Sequence, residues 1–403
     1  MKRLVGTTVR GLRAPIFDEG DQLLDVLPEL LEKAAKAENF SPRDRDVLCI
    51  TESVLARCQG NYATIDDIAK DLANYFAADD KIGLIHPILS RNRFSVMLRG
   101  IARAVDELVI QLSYPSDEVG NQLIDKQELL DSKVNPYTDA FNEAEFNQHF
   151  TKFKHLFTGI NYVDLYREIC EAENCKVTFL FANDPRAILK ETKKVITCDI
   201  HTRENSKKLL REAGVEKLIG LDNILATPST EHGFNEEYGL LGSNKATDER
   251  IKLFPREAQE FVDALAERLE AKFGKKIEVM VYGDGAFKDP FGKIWELADP
   301  VVSPAFTAGL QGRPNELKIK YLADNDYAEL SEEAKAEQIQ ARIREKHSAD
   351  ATTLEEAREG TTPRQITDLL GSLADLSSGS GDKGTPFVYI QGYFDSYADE
   401  YQD

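Results

Sequence analysis

Three segments of the chain interleave small residues with oxygen-bearing ones: Ser113 to Asn121, Gly283 to Asp289 and Ser377 to Thr385. Such loops suit hard divalent cations, because magnesium and manganese take oxygen ligands and usually bind through a few carboxylates plus phosphates. Asp117 or Glu118, together with Asp284, would supply the carboxylates. Glycines flank Asp284 and leave room for a bulky phosphate, although Asp-Gly is also an ordinary turn pair. The third loop, Ser377-Ser-Gly-Ser-Gly-Asp-Lys-Gly-Thr-Pro386, offers consecutive backbone amides, hydroxyls and Lys383, a combination that holds anions. It is not a Walker loop, because the lysine is not followed by Ser or Thr at a helix start. A flexible linker has the same composition. Against that, a strand is expected directly after Pro386, which anchors both ends. No Gly-x-Ser-x-Gly elbow occurs and the six histidines fall in no triad context, which argues against a nucleophilic hydrolase.

A fourth candidate lies near the start. Gly11-Leu-Arg-Ala-Pro15 is a turn-forming segment with an arginine in it, and Pro15 pushes Ala14 towards an extended conformation. Gly11 lets another group approach the backbone closely. Asp21 is expected to cap the helix that follows, with Leu23, Leu24, Leu27, Leu30 and Leu31 on its buried side.

The elements that must position these loops alternate. Leu4 to Val9 and Asp46 to Thr51 read as extended, and Gln22 to Lys36 and Ile65 to Phe76 as helices. Ile85 to Ala104 reads as an apolar helical region whose start is limited by Pro87, and Glu107 to Leu112 as a strand. The texture changes after Asp125, where residues through Phe157 show no clear periodicity and read as a connection or arm. Lys176 to Phe181, Lys194 to Asp199 and Lys217 to Leu221 are strand-like, with a helix from Asn205 to Ala213, a β-α-β pattern. At the end of the second of these, Asp199-Ile-His201-Thr202 could hold a ligand, but a helix cap at Thr202 is the simpler reading. Arg256 to Phe273 is a helix stopped by Gly274, Lys276 to Tyr282 an apolar strand, and Phe387 to Gln391 the last strand. Helices are also expected over Ala328 to Glu359 and Thr361 to Leu376, with Pro363 in the first turn of the latter. The fold class is α/β (α+β) with mixed sheets.

Composition narrows the function classes. A chain of 403 residues is too long for one average core. A formal charge of -20 disfavours a nucleic-acid partner, because neutralising phosphates takes a basic surface. No apolar run is long enough to span a bilayer and no signal core precedes a cleavage site, so a cytoplasmic protein is expected. Five scattered cysteines fit reduced thiols better than a disulfide framework.

Taken in order, the pieces resemble the coenzyme F420-0:L-glutamate ligase family. The family's opening Gly-[Ile/Leu]-Arg-x-Pro-Ile and Gly-Asp-x-Leu are matched by Gly11 to Ile16 and Gly20 to Leu23. Its Asp-Val-Leu-x-Ile-Thr-Glu-[Ser/Thr]-Val segment, with a basic residue and a glycine soon after, is matched by Asp46 to Val54, Arg57 and Gly60. The resemblance implies a γ-glutamyl ligase fold and a reaction in which GTP or ATP and Mg2+ or Mn2+ drive addition of L-glutamate to a carboxylate acceptor through an acyl phosphate. It implies metal ligation by Asp117, Glu118, Asp284 and Ser380, with catalytic roles for Arg13 and Asp284. Nucleotide and substrate contacts would come from Gly11, Leu12, Arg13, Glu52, Ser53, Arg57, Asn121, Gly379, Ser380, Gly381, Asp382, Lys383 and Gly384. A homodimer is implied as well. Three positions depart from the pattern: Arg57 replaces a lysine, Gly285 an oxygen-bearing residue and Ser380 a glutamine.

The implied layout is a ligase-like part over 1–125, an inserted α/β segment over 126–250, a second ligase-like part over 251–395, and an acidic tail over 396–403. Two rival readings keep the scaffold: the same chemistry on another acceptor, such as a folate-like compound, or a nucleotide- or metabolite-binding protein without catalysis.

Overall fold

The computed structural model describes the chain except residues 1–3, 86–88, 90–91, 119, 151–152, 156–158, 200–201, 284–285, 289–294, 298–302, 315, 349–364, 378–382 and 400–403. Two mixed sheets organise it, as the α/β reading expected.

The first sheet has five strands in the order Thr8–Leu12, Phe387–Gln391, Val47–Thr51, Glu278–Tyr282 and Ala305–Phe306. Val47–Thr51 and Glu278–Tyr282 run parallel, and every other pairing is antiparallel. Every residue of Val47–Thr51 and of Phe387–Gln391 is buried. Such continuously apolar strands belong inside a sheet covered on both faces. Helices Leu23–Ala37 and Ala258–Phe273 pack on one face through Leu27, Leu31, Val262, Leu265 and Leu269, and helix Ile366–Ser377 covers the other through Leu370 and Ala374. Gly274 stops the Ala258–Phe273 helix with φ of 64°, as read from the sequence. The cap expected at Asp21 is not made. The helix begins at Leu23 without a side-chain cap, and the Asp21 carboxylate accepts from the amide of Asp18 at 2.7 Å, closing the preceding turn.

The second sheet has six strands in the order Phe141–Asn142, Lys176–Phe181, Glu107–Leu112, Lys81–Ile85, Lys194–Thr197 and Lys217–Gly220. All but the short first one are parallel. Two of these strands precede residue 125 and four follow it, so this sheet draws on both sides of that position. The helical reading of Ile85 to Ala104 is corrected: Lys81–Ile85 is a strand and the helix spans Asn92–Ala104. The aperiodic stretch after Asp125 holds helices Lys126–Ser132 and Glu143–His149. Phe146 there stacks on Phe181 with ring centroids 3.9 Å apart, so aromatic packing rather than helical periodicity fixes this segment.

A small third sheet is built on a hairpin. Strands Asn244–Lys245 and Arg250–Lys252 pair with each other, and the second pairs with Tyr62–Thr64. No helix among the described residues is long and apolar enough to cross a membrane.

Candidate functional site

The five-stranded sheet brings the predicted segments to one end. Leu12 and Ile50 both lie opposite Phe387, and Thr51 lies opposite Tyr282. The chain after Leu12, after Thr51 and after Tyr282 therefore emerges beside the chain entering Phe387. The amide of Ala14 donates to the Gly384 carbonyl, and that of Thr51 to the Pro386 carbonyl, each at 3.1 Å. A side chain at Gly11 would bring its Cβ within 3.0 Å of the Thr385 Cβ, which is why glycine stands there. Gly384 sits at φ of 63°, the left-handed region glycine favours. Leu12 is core, packed with Phe387, whereas Arg13 and Lys383 are exposed, each one residue before an end of the Ala14–Gly384 bond. Asp284 and Gly379, Ser380, Gly381 and Asp382 lie outside the described residues.

Thr51 leads directly into helix Glu52–Cys58, and two side chains not expected from sequence hold its first turn. Asn244 Nδ2 donates to Glu52 Oε1 at 2.8 Å, and Lys252 Nζ donates to the Ser53 hydroxyl. Glu52 is buried, and a buried carboxylate needs such donors. Gln59 and Arg256 exchange two bonds: Gln59 Nε2 donates to the Arg256 carbonyl and Oε1 accepts its amide. Asn61, wholly buried, donates to the carbonyls of Phe234 and Phe254 and accepts from the Phe234 amide. The stretch from Gly233 to Arg256 thus buttresses the Thr51-Glu-Ser signature. Arg57 serves the same architecture. Its Nε donates to the Phe17 carbonyl and its Nη2 pairs with Asp18 at 2.9 Å, and Asp18 holds its pKa above the ordinary arginine value.

The acidic loop lies at the end of Glu107–Leu112 in the six-stranded sheet. Asp117 is buried; its two oxygens accept from the amide and side-chain Nδ2 of Asn121 at 2.8 and 2.9 Å, and Oδ2 also from Leu89 N. Glu118 turns elsewhere, accepting from the amide of Thr202 at 2.8 Å. The two carboxylates therefore do not converge as a ligand pair. Among the described residues no group of three or more His, Cys, Asp or Glu is placed to hold a metal ion.

A sheet end where Gly11 to Ala14, the Thr51-Glu-Ser turn and Lys383 to Pro386 meet is the kind of place where α/β proteins gather anionic ligands. The family model described as F420-0:gamma-glutamyl ligase matches residues 11–392, and the chain belongs to that family. The match spans the six-stranded sheet and the hairpin as well as the first sheet. No curated protein matches the chain in sequence. Among solved structures, eIF2B beta from Chaetomium thermophilum is similar at 12% identity and a TM-score of 0.22, over 52% of this chain and 58% of that one. Likeness at that level defines no shared fold.

Proposed function

We propose that the protein is a nucleotide- and divalent-metal-dependent amide ligase that adds L-glutamate to a carboxylate acceptor. Membership of a glutamyl ligase family is the observation that carries this reading. The acceptor carboxylate would take the terminal phosphoryl group of GTP or ATP to give an acyl phosphate. The amine of glutamate would then attack the acyl carbon, forming the amide and releasing phosphate, with the amine proton passing to solvent. Phosphoryl transfer of this kind depends mainly on positioning and charge neutralisation.

This chain's own groups have separable parts in it. Arg13 and Lys383, exposed beside the Ala14–Gly384 bond, grip phosphate or substrate carboxylate, Arg13 with a two-pronged fork. Glu52 and Ser53, held by Asn244 and Lys252, present the start of helix Glu52–Cys58. Arg57 fixes the loop at Phe17 and Asp18. Mg2+ or Mn2+ would neutralise the phosphates when bound; the described residues do not by themselves assemble its ligands, so no role here passes through it. A homodimer in the cytoplasm completes the proposal.

The test is turnover. Protein is incubated with GTP or ATP, manganese, glutamate and a panel of carboxylate acceptors that includes F420-0 and a folate. Phosphate release with an acceptor mass gain of one glutamate is expected. Nucleotide binding without turnover of any acceptor would refute the ligase reading and leave a binding protein, and unchanged turnover in Asp284→Ala would remove Asp284 from the mechanism.

A further inference from the structure

In chain order, the five parallel strands of the six-stranded sheet lie 3-2-1-4-5 across it, so the order reverses between Lys81–Ile85 and Lys194–Thr197. Open parallel sheets bind ligands outside the carboxyl ends of the strands at such a switch point. Asp199 stands there, two residues beyond the strand and only 1% exposed. Its Oδ2 accepts from the hydroxyls of Thr202 at 2.8 Å and Ser206 at 2.6 Å. Its Oδ1 is buried and has no hydrogen-bond partner among the described residues. A buried carboxylate oxygen without a donor is costly to keep, so it marks a place for a donor from outside the chain. Burial raises the Asp199 pKa, in keeping with an oxygen that lacks a donor.

Helix Arg203–Glu212 starts at the same place, and its positive end already carries an anion. Glu118 Oε1 accepts from the Thr202 amide at 2.8 Å and lies 3.0 Å from the Thr202 hydroxyl. Thr202 makes no side-chain cap to its own helix; its hydroxyl donates to Asp199 instead, with Glu118 beside it, which corrects the capping expectation. One turn further on, Lys207 Nζ bonds both oxygens of Asp222 at 2.9 and 2.8 Å, and Arg203 Nε lies 3.4 Å from the same carboxylate. Both cations are thus already paired with Asp222.

We infer that this strand end, in the six-stranded rather than the five-stranded sheet, is a second small-molecule site that takes a phosphate monoester with neighbouring hydroxyls. In this arrangement the Glu118 carboxylate stands in for the phosphate. A ligand displaces it from the Thr202 amide at the helix start, where phosphates bind readily, and a ligand hydroxyl donates to Asp199 Oδ1. No bond is made or broken. Glu118 is also among the metal ligands that the family resemblance implies, so the site shares that residue with the ligase reading, and binding in metal-free buffer tells the two apart.

Calorimetric titration of the full chain in metal-free buffer with EDTA tests it, using ribose 5-phosphate, AMP, ribose and inorganic phosphate as probes. One-to-one binding of ribose 5-phosphate is expected, at least about tenfold tighter than ribose or phosphate alone. Glu118→Ala removes the internal competitor and should tighten binding about tenfold, while Asp199→Asn should weaken it by about as much. Binding of AMP in place of ribose 5-phosphate, with the same response to both variants, would assign the ester to a nucleotide. If Asp199→Asn does not fold, Glu118→Ala decides. The inference falls if neither ester binds wild type or Glu118→Ala, if the bare sugar or phosphate binds as well as the ester, or if binding ignores the substitutions.

Discussion

Asn61→Ala should cost more than any surface change near the proposed ligase site. The side chain makes three bonds to backbone groups: to the Phe234 carbonyl at 2.9 Å, to the Phe254 carbonyl at 2.6 Å, and from the Phe234 amide at 3.0 Å. Removing it orphans the amide and carbonyl of Phe234. The Phe254 carbonyl keeps a weaker donor, Asn235 Nδ2 at 3.3 Å. An unsatisfied backbone group costs about 1–3 kcal/mol, and because Phe234 is only partly buried its two groups predict a loss at the low end, about 2–3 kcal/mol. With a urea slope of about 3 kcal/mol per molar, the unfolding midpoint should fall by about 1 M. Asn61→Asp should be no better, because it keeps the acceptor for Phe234 N but sets a carboxylate oxygen against two carbonyls. Urea unfolding followed by circular dichroism gives the answer. A midpoint for Asn61→Ala within about 0.2 M of wild type would refute the premise that these backbone groups have no other recourse.

Other outcomes follow from the same geometry. Arg13→Ala should leave the melting temperature unchanged, since the side chain is exposed, yet lower kcat/KM for ligation by about ten- to a hundredfold if it grips an anion in the transition state. All five cysteines are buried, and burial pushes the Cys58 thiol up to about 11 and that of Cys175 to about 12. Native protein should therefore resist Ellman's reagent at neutral pH, and five thiols should appear on denaturation. Burial holds His155 below its ordinary value of 6.5, against an opposing pull from Asp117. Its neutral form is favoured in the fold, so this contribution to stability is complete above pH 6.5 and fades as pH falls from there through the lowered pKa. His155→Gln should flatten the fall in melting temperature between about pH 6.5 and 5.

The legible parts of this molecule were those with local patterns. The Gly11-Leu-Arg and Thr51-Glu-Ser signatures met at one sheet end because each sits at a strand terminus, where small and polar residues interrupt an apolar run. The β-α-β pattern from Lys176 to Gly220 was readable for the same reason. Lys81–Ile85 carries no strand signal of its own, and its last residue joins the helical reading of Ile85 to Ala104; only pairing with Glu107–Leu112 and Lys194–Thr197 makes it a strand. Asn244 and Lys252 carry no local signal: they reach Glu52 and Ser53 across 192 and 199 residues of chain. Arg57 was identifiable as a basic residue near the site, but not as one already committed to Phe17 and Asp18.

The strand Phe387–Gln391 sits between Thr8–Leu12 and Val47–Thr51, and that placement sets an order of assembly. The six-stranded sheet is complete once residue 220 has left the ribosome, so it can form while the rest is still being made. The five-stranded sheet cannot. Thr8–Leu12 has no partner until Phe387 to Gln391 arrives, and the pairing of Thr8 with Gln391 closes one of the longest loops the chain allows. For most of synthesis the Arg13 segment therefore waits beside an open sheet edge, and the site at its end comes into being only with the last strand.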